Sequence, residues 1–329
     1  MNENIVNRNA PLCRWPVKMK VLDELRLAVL SRKLSPVFNQ IIDEEKITDE
    51  LLPQLRNIYL PLADWVAQRH KDKPIVIGIN GAQGSGKSTL SKILKALLQL
   101  GFAKSVLHLS IDDLYLSRQS RQQLAKEIHP LFRVRGVPGT HDVERGNQIL
   151  SRLLKPDPEL PLNIPVFDKA SDDLLPEKAW RRIEKPVDII LFEGWCVGAR
   201  AQDPADTGIA INDLERHDDA EGIWRDYVNR QLLAPYQSLF NYMDYLVMLK
   251  VPDMESVIEW RCLQEEKLAK HCLEEKSSSG CVMSPAEVSR FIMHYERITR
   301  ANLAEMPARA NVLLELNKQH QVDRVSVAS

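Results

Sequence analysis

The sequence has almost no excess charge, few cysteines and no long apolar run, and each shortage removes a class of function. Lys and Arg total 44 against 45 Asp and Glu, a net charge of −1. A protein that coats nucleic acid must neutralise many phosphates with a basic surface, so that role is excluded, although a local basic pocket for a small anion is not. The five cysteines, Cys13, Cys196, Cys262, Cys272 and Cys281, are odd in number and form no CxxC pair. Reduced thiols in a cytoplasmic protein are expected. His271 beside Cys272, with Cys262 and Cys281 nearby, lacks the paired short spacing of a structural zinc site. No stretch approaches the roughly 20 apolar residues of a membrane span, and the N-terminus has no apolar core of an export signal. Neither membrane nor nucleic acid is expected as a partner. No internal repeat or low-complexity tract occurs.

What is present changes character near residue 72. The preceding region reads as a helical extension, residues 1–71: Val21, Leu22, Leu25, Ala28 and Val29 fall at helical spacing. Ser35-Pro36 has the form of an N-cap with proline at the first helical position, and Leu51, Leu55, Ile58, Leu62, Trp65 and Val66 form another series that Pro61 should break or kink. From Pro74 onward five short apolar runs alternate with helical stretches. They are Ile75–Ile79, Val106–Leu109, Val187–Phe192, Tyr245–Leu249 and Val312–Leu316. Runs apolar on both faces indicate buried parallel strands, so residues 72–329 predict a doubly wound α/β domain with a mainly parallel sheet covered by helices on both faces. Ser284-Pro285 with Glu287 is a capping box opening a helix that should end before Pro307.

The first strand runs into Gly81-Ala82-Gln83-Gly84-Ser85-Gly86-Lys87-Ser88, followed by Thr89. This is G-x-x-x-x-G-K-[ST] in its required strand–loop–helix setting. Glycines allow successive backbone N–H groups to face phosphate oxygens, and the helix N-terminus adds positive potential. Lys87 is placed to reach the β and γ phosphates of ATP, and Ser88 to ligate Mg²⁺. The metal also needs a carboxylate at the carboxyl end of a neighbouring strand; Glu193 stands there, whereas Asp188 opens the same strand at the opposite edge. Asp112 and Asp113 close the second strand, where one of them can accept a proton from an acceptor hydroxyl or merely cap the next helix. Asp112 is the second candidate for the metal. Arg133 and Arg135 lie in a loop of turn formers, Gly136-Val137-Pro138-Gly139, and guanidinium groups there suit a carboxylate-bearing small molecule, unless both are simply solvated.

Several segments together resemble one family. VLHLSIDDLYL, HPLFRVRGVPGTHDV, PVFDKASDDLLP, DIILFEGWCVGA and the stretch from Trp224-Arg225 to Arg261-Cys262-Leu263-Gln264-Glu265 are similar to D-glycerate 3-kinases, relatives of uridine kinase, phosphoribulokinase and pantothenate kinase. The resemblance spans residues 70–320 and implies ATP-dependent phosphorylation of a hydroxyl on a small acid, D-glycerate in the first place. It implies that Asp112 rather than Asp113 is the base, and that His141, Asp142, Asp168 and Lys169 line the acceptor pocket. It also implies a lid near residues 253–283, with Arg261 turned to the phosphates. Uridine kinases carry Tyr where this chain has Phe167, which weighs against a nucleoside acceptor. From the residues alone, Asp142 is also a good N-cap, His141 a packed loop residue, and Arg261 a partner for Glu265 one turn on. A GTPase would carry N-K-x-D, but Asn317-Lys318 is followed by Gln319-His320. A regulatory ATPase would have the cradle and the metal acid without the second acidic site.

Overall fold

The computed structural model describes residues 13–16, 22–45, 52–274 and 283–328. Within them ten strands follow in chain order: β1 (Ile75–Gly81), β2 (Val106–Ser110), β3 (Leu162–Ile164), β4 (Phe167–Asp168), β5 (Asp173–Leu174), β6 (Arg181–Ile183), β7 (Ile189–Gly194), β8 (Tyr245–Lys250), β9 (Val312–Leu316) and β10 (Val322–Val327). Six of them form the main sheet in the order β10-β9-β8-β1-β7-β2. All neighbours are parallel except β10, which turns back antiparallel on β9 at the edge. β1 sits between β7 and β8, so the chain leaves it where the winding changes direction, the usual position of a ligand crevice in such sheets.

The two faces of the sheet carry separate cores. Ile77, Ile79, Leu191, Val247 and Leu314 face the helix Lys87–Phe102 and the N-terminal helices Glu24–Glu44 and Leu60–Arg69. Val76, Leu107, Leu109, Ile190 and Phe192 face a second core containing Ile149, Leu150, Trp224 and Tyr236. Strands buried on both sides cannot alternate apolar with polar residues, and that is why β1 and β7 read as near-continuous apolar runs. Each fully buried Leu, Ile or Phe side chain contributes about 1.5–3 kcal/mol of burial free energy.

The N-terminal region departs from the sequence expectation in two places. The helix Glu24–Glu44 is capped by Asp23, whose side chain accepts from Arg26 N at 2.7 Å, and it runs straight through Pro36. No helix begins at Ser35; its hydroxyl instead donates to Ser31 O at 2.6 Å. The continuous apolar face Leu27, Leu30, Leu34, Phe38, Ile41 and Ile42 outweighs the one backbone hydrogen bond that proline removes. At Pro61 the chain passes from a π-helical segment, Leu55–Tyr59, into the α-helix Leu60–Arg69, with proline in the first turn where its missing N–H is harmless. Val21, Leu51, and the side chains of His271, Cys272 and Cys281 lie outside the described residues. Strand β10 adds an edge beyond the five expected strands, and Val322, Val325 and Val327 carry only part of an alternating pattern. Among the described residues no helix is long and apolar enough to cross a membrane.

Candidate active site

The phosphate cradle follows directly from β1. Gly84 and Gly86 adopt φ of 76° and 86°, a left-handed conformation that glycine accepts without strain. The helix Lys87–Phe102 starts at once, directing its N-terminal N–H groups into the loop. Lys87 Nζ donates to Ala82 O at 3.0 Å, folding the ammonium back over the loop. Burial lowers the Lys87 pKa, while Glu193 and Asp112 pull it up; the net result is below the usual lysine range. These three groups therefore share one electrostatic neighbourhood.

Glu193 reaches it through strand register. β7 pairs Glu193 with Ile79 on one side and Ser110 on the other, fixing it at the carboxyl end of the crevice. Its Oε1 accepts from the Ser88 hydroxyl at 3.0 Å and lies 3.6 Å from His108 Nε2. Burial raises its pKa, but His108 and Lys87 outweigh this and hold the carboxyl below its ordinary value. The following turn is pinned by Asn80, a buried β1 side chain whose Nδ2 donates to Trp195 O at 3.0 Å and Val197 O at 2.8 Å. Among the described residues no group of three or more His, Cys, Asp or Glu is placed to hold a metal ion. A Mg²⁺ ion that takes most of its oxygens from phosphate and water needs only one or two protein donors, and the Ser88–Glu193 pair has that form.

The adjacent aspartates do different things. Asp113 closes a capping box: its Oδ2 accepts from Ser110 N at 3.2 Å. Asp112 is left facing the crevice, 2.7 Å from Lys169 Nζ. Burial raises its pKa, yet the Lys169 charge, hydrogen bonds from Lys169 and Tyr115, and His141 bring it below the usual carboxylate range. Asp112 is thus ionised at neutral pH.

Around Asp112 the fold assembles an aromatic wall from Tyr115, His141, Phe167 and Tyr236, drawn from separate segments of the chain. Tyr115 stacks on His141 with centroids 4.6 Å apart and meets Phe167 edge-on at 5.0 Å. His141 Nδ1 lies 2.6 Å from the Tyr236 hydroxyl, which itself accepts from Gly139 N at 2.9 Å. His141 Nδ1 and the Tyr236 hydroxyl thus share one hydrogen bond, and the imidazole Nε2 is a buried atom without a hydrogen-bond partner among the described residues. Burial depresses the His141 pKa to about 4, so the ring is neutral.

The other expected pocket residues fall into two groups. Lys169 is exposed and reaches Asp112, and Arg135 pairs with Asp172 while lying 5.5 Å over the Phe167 ring. Arg133 is exposed, and among the described residues its side chain makes no ion pair. Asp142 and Asp168 are committed locally. Asp142 caps the helix Val143–Leu153 and binds Arg145 Nε at 3.0 Å; Asp168 accepts from Ala170 N and Ser171 N in its own turn. Arg261 lies on the helix Met254–Glu274 within the expected lid region, but its guanidinium is paired with Glu265 and Gln264 rather than turned to the cradle. Glu265 also accepts from Met283 N, so this pair ties the helix to the segment leading into the helix Pro285–Glu305. Arg181 joins the site without any signal in the sequence: its Nε and Nη2 are buried without hydrogen-bond partners, with Asp113 Oδ2 at 3.7 Å. A single arginine opening a three-residue strand cannot be told apart from a solvated one by spacing.

Beside the cradle lies a cavity of about 650 Å³ between the loop, the helix Met254–Glu274 and the β9–β10 turn. Trp260 packs so close to Gly84 that a Cβ there would sit 2.9 Å from the Trp260 Cβ. His320 stacks on Trp260 at 3.7 Å, and its Nε2 lies 3.0 Å from Gly84 O.

Comparison with known proteins finds P-loop and kinase relatives. The KAP family P-loop domain matches residues 55–179. An uncharacterized kinase of Schizosaccharomyces pombe is 36% identical over 232 residues, 68% of this chain and 79% of that protein. The chloroplastic D-glycerate 3-kinase of Arabidopsis thaliana is 30% identical over 285 residues; the match covers 81% of this chain and 58% of the plant protein. Among solved structures, D-glycerate 3-kinase from Cryptococcus neoformans superposes with a TM-score of 0.65 at 20% identity, covering 82% of this chain and 97% of that one, a likeness of fold.

Proposed function

Since the chain belongs to the P-loop kinase family that includes D-glycerate 3-kinase, we propose that it transfers the γ-phosphoryl group of ATP to a hydroxyl of D-glycerate. The observation that carries the reading is the position of Asp112, an ionised, half-buried carboxylate in the same electrostatic neighbourhood as Lys87 and Glu193. A cradle and a metal acid alone would serve an ATPase. A second carboxylate facing outward from them serves an acceptor.

In this reading the backbone N–H groups of residues 81–89 and the Lys87 ammonium hold the phosphates. Ser88 and Glu193 would hold Mg²⁺, which supplies neutralisation of the phosphate charge when bound. Asp112 orients the acceptor hydroxyl and takes its proton as the oxygen–phosphorus bond forms and ADP departs. Lys87 follows the charge on the transferred group. Arg135 and Lys169 offer charge-assisted hydrogen bonds to the acceptor carboxylate. A small acid has little apolar surface, so such bonds must supply most of its binding.

The test is coupled ADP release with D-glycerate, L-glycerate and pantothenate, the last also a carboxylate with a primary hydroxyl. Stimulation by D-glycerate above both others is expected. Stimulation by pantothenate alone would keep the kinase and replace the substrate. Phosphate release that no acceptor stimulates would overturn the kinase reading in favour of an ATPase.

A further inference from the structure

The N-terminal helix reaches the nucleotide side of the site. Glu45, immediately after the helix Glu24–Glu44, lines the 650 Å³ cavity together with Tyr59, Thr89 and Leu90. Its Oε2 accepts from the Thr89 hydroxyl at 3.2 Å, and its Oε1 pairs with Lys92, one turn further along the cradle helix. The carboxylate is about three-quarters shielded, with 23% of its side chain exposed. It is therefore fixed from both sides while still open to the cavity.

A carboxylate beside a phosphate cradle needs compensating donors, and Thr89 and Lys92 take up only part of Glu45's acceptor capacity. Thr89 lies on the first turn of the cradle helix and lines the cavity with Glu45, so a nucleotide whose phosphates occupied the cradle and whose base entered the cavity would carry its sugar past this pair. Of the donors that ATP carries, the ribose hydroxyls stand nearer its phosphates than the adenine amino group does. A carboxylate oxygen has two acceptor positions, so each Glu45 oxygen retains one after binding Thr89 or Lys92. Lys92 also offsets repulsion between Glu45 and the nearby phosphate. We propose that Glu45, supplied by the N-terminal helix, is the ribose-binding residue of the nucleotide site and makes this kinase select ribonucleotides over deoxyribonucleotides. The inference rests on the ATP-binding reading of the cradle, and not on the identity of the acceptor.

Direct titration calorimetry without any acceptor tests it, using the full chain with ATP, 2′-deoxy-ATP and 3′-deoxy-ATP. Wild type should bind ATP roughly tenfold more tightly than at least one deoxy analogue, the worth of one charge-assisted hydrogen bond. Glu45→Ala should weaken ATP to the level of that analogue while leaving the analogue's own affinity within about twofold, so that discrimination disappears. Glu45→Gln, which keeps an acceptor towards Thr89, should retain part of the discrimination and serves if the alanine variant folds poorly. Equal loss of ATP and of both deoxy analogues, or discrimination unmoved in Glu45→Gln and Glu45→Ala, overturns the proposal and leaves Glu45 as a support for Thr89. Wild type that binds none of the three nucleotides would overturn the kinase reading and this inference with it.

Discussion

The two halves of the site are built from different materials. The nucleotide half is made largely of backbone: glycines at positive φ, a helix N-terminus and one lysine folded onto Ala82 O. The half proposed for the acceptor is made of side chains that satisfy one another, Asp112 with Lys169, Arg135 with Asp172 and His141 with Tyr236. The first is preorganised and can receive phosphate without breaking a charge pair. In the second, an entering acid must exchange partners with ion pairs already formed, which favours a ligand bringing its own negative charge over a neutral one.

That contrast can be broken at its strongest point first. Lys87→Ala removes the charge that follows the γ-phosphoryl group, and turnover should collapse with the thermal unfolding midpoint nearly unchanged; wild-type turnover in a folded variant would dismantle the nucleotide half. Next comes Asp112→Asn, which keeps shape but removes the proton acceptor and should lower the rate by roughly 10²–10⁴. Asp113→Asn should weaken a cap and reduce activity much less, so a reversal of the two would transfer the base to Asp113. Arg135→Ala should raise the apparent KM for the acceptor by about 10- to 100-fold with little change in that for ATP, since charged hydrogen bonds contribute about 1.5–3 kcal/mol each. Arg133→Ala, acting on an exposed and unpaired guanidinium, should do less, and equal effects on the KM for ATP would remove both from the acceptor half. Glu193→Gln should raise the Mg²⁺ concentration needed for half-maximal rate, because an amide holds a hard cation poorly; an unchanged requirement would point to Asp112 as the metal acid.

The smallest signal at neutral pH is expected from His141. Its folded pKa, about 4, lies below the ordinary 6.5, so between those values the unfolded chain binds the extra proton. Stability from this group is therefore intact above pH 6.5 and falls as the pH drops towards 4, by a limit of roughly 3 kcal/mol. A His141→Asn variant should lose less stability between pH 7 and 4.5 than wild type. Parallel losses in urea titrations at the two pH values would show that the imidazole is already solvated.

The same difference in materials decides what the sequence discloses. The cradle is a contiguous string, and Glu193 stands at a fixed offset from an apolar run, so both are legible in the order of residues alone. Sheet and flanking helices are legible for a related reason, since two-sided burial writes itself into β1, β7 and β8 residue by residue. Asp112 and Asp113 look alike in sequence, and only the Ser110 capping box separates them. The contacts of Arg181, Tyr236 and Asn80 are made across long chain separations, by residues whose types occur anywhere. Asp142 illustrates the converse, where the local N-cap pattern described the contact better than the family resemblance did. At Ser35-Pro36 the local pattern misled, because a six-residue apolar face held one helix together across it.

The cavity beside the cradle also says something about how the protein is made. Its walls include Glu45 and Tyr59 from the earliest described helices and residues 318–322 from the last strand pair, with His320 touching the cradle at Gly84. A nascent chain still missing β9 and β10 can form the glycine loop but not the pocket around it. Completion of that pocket during synthesis waits for the β9–β10 hairpin to leave the ribosome, and a chain lacking that hairpin should retain ATP less well.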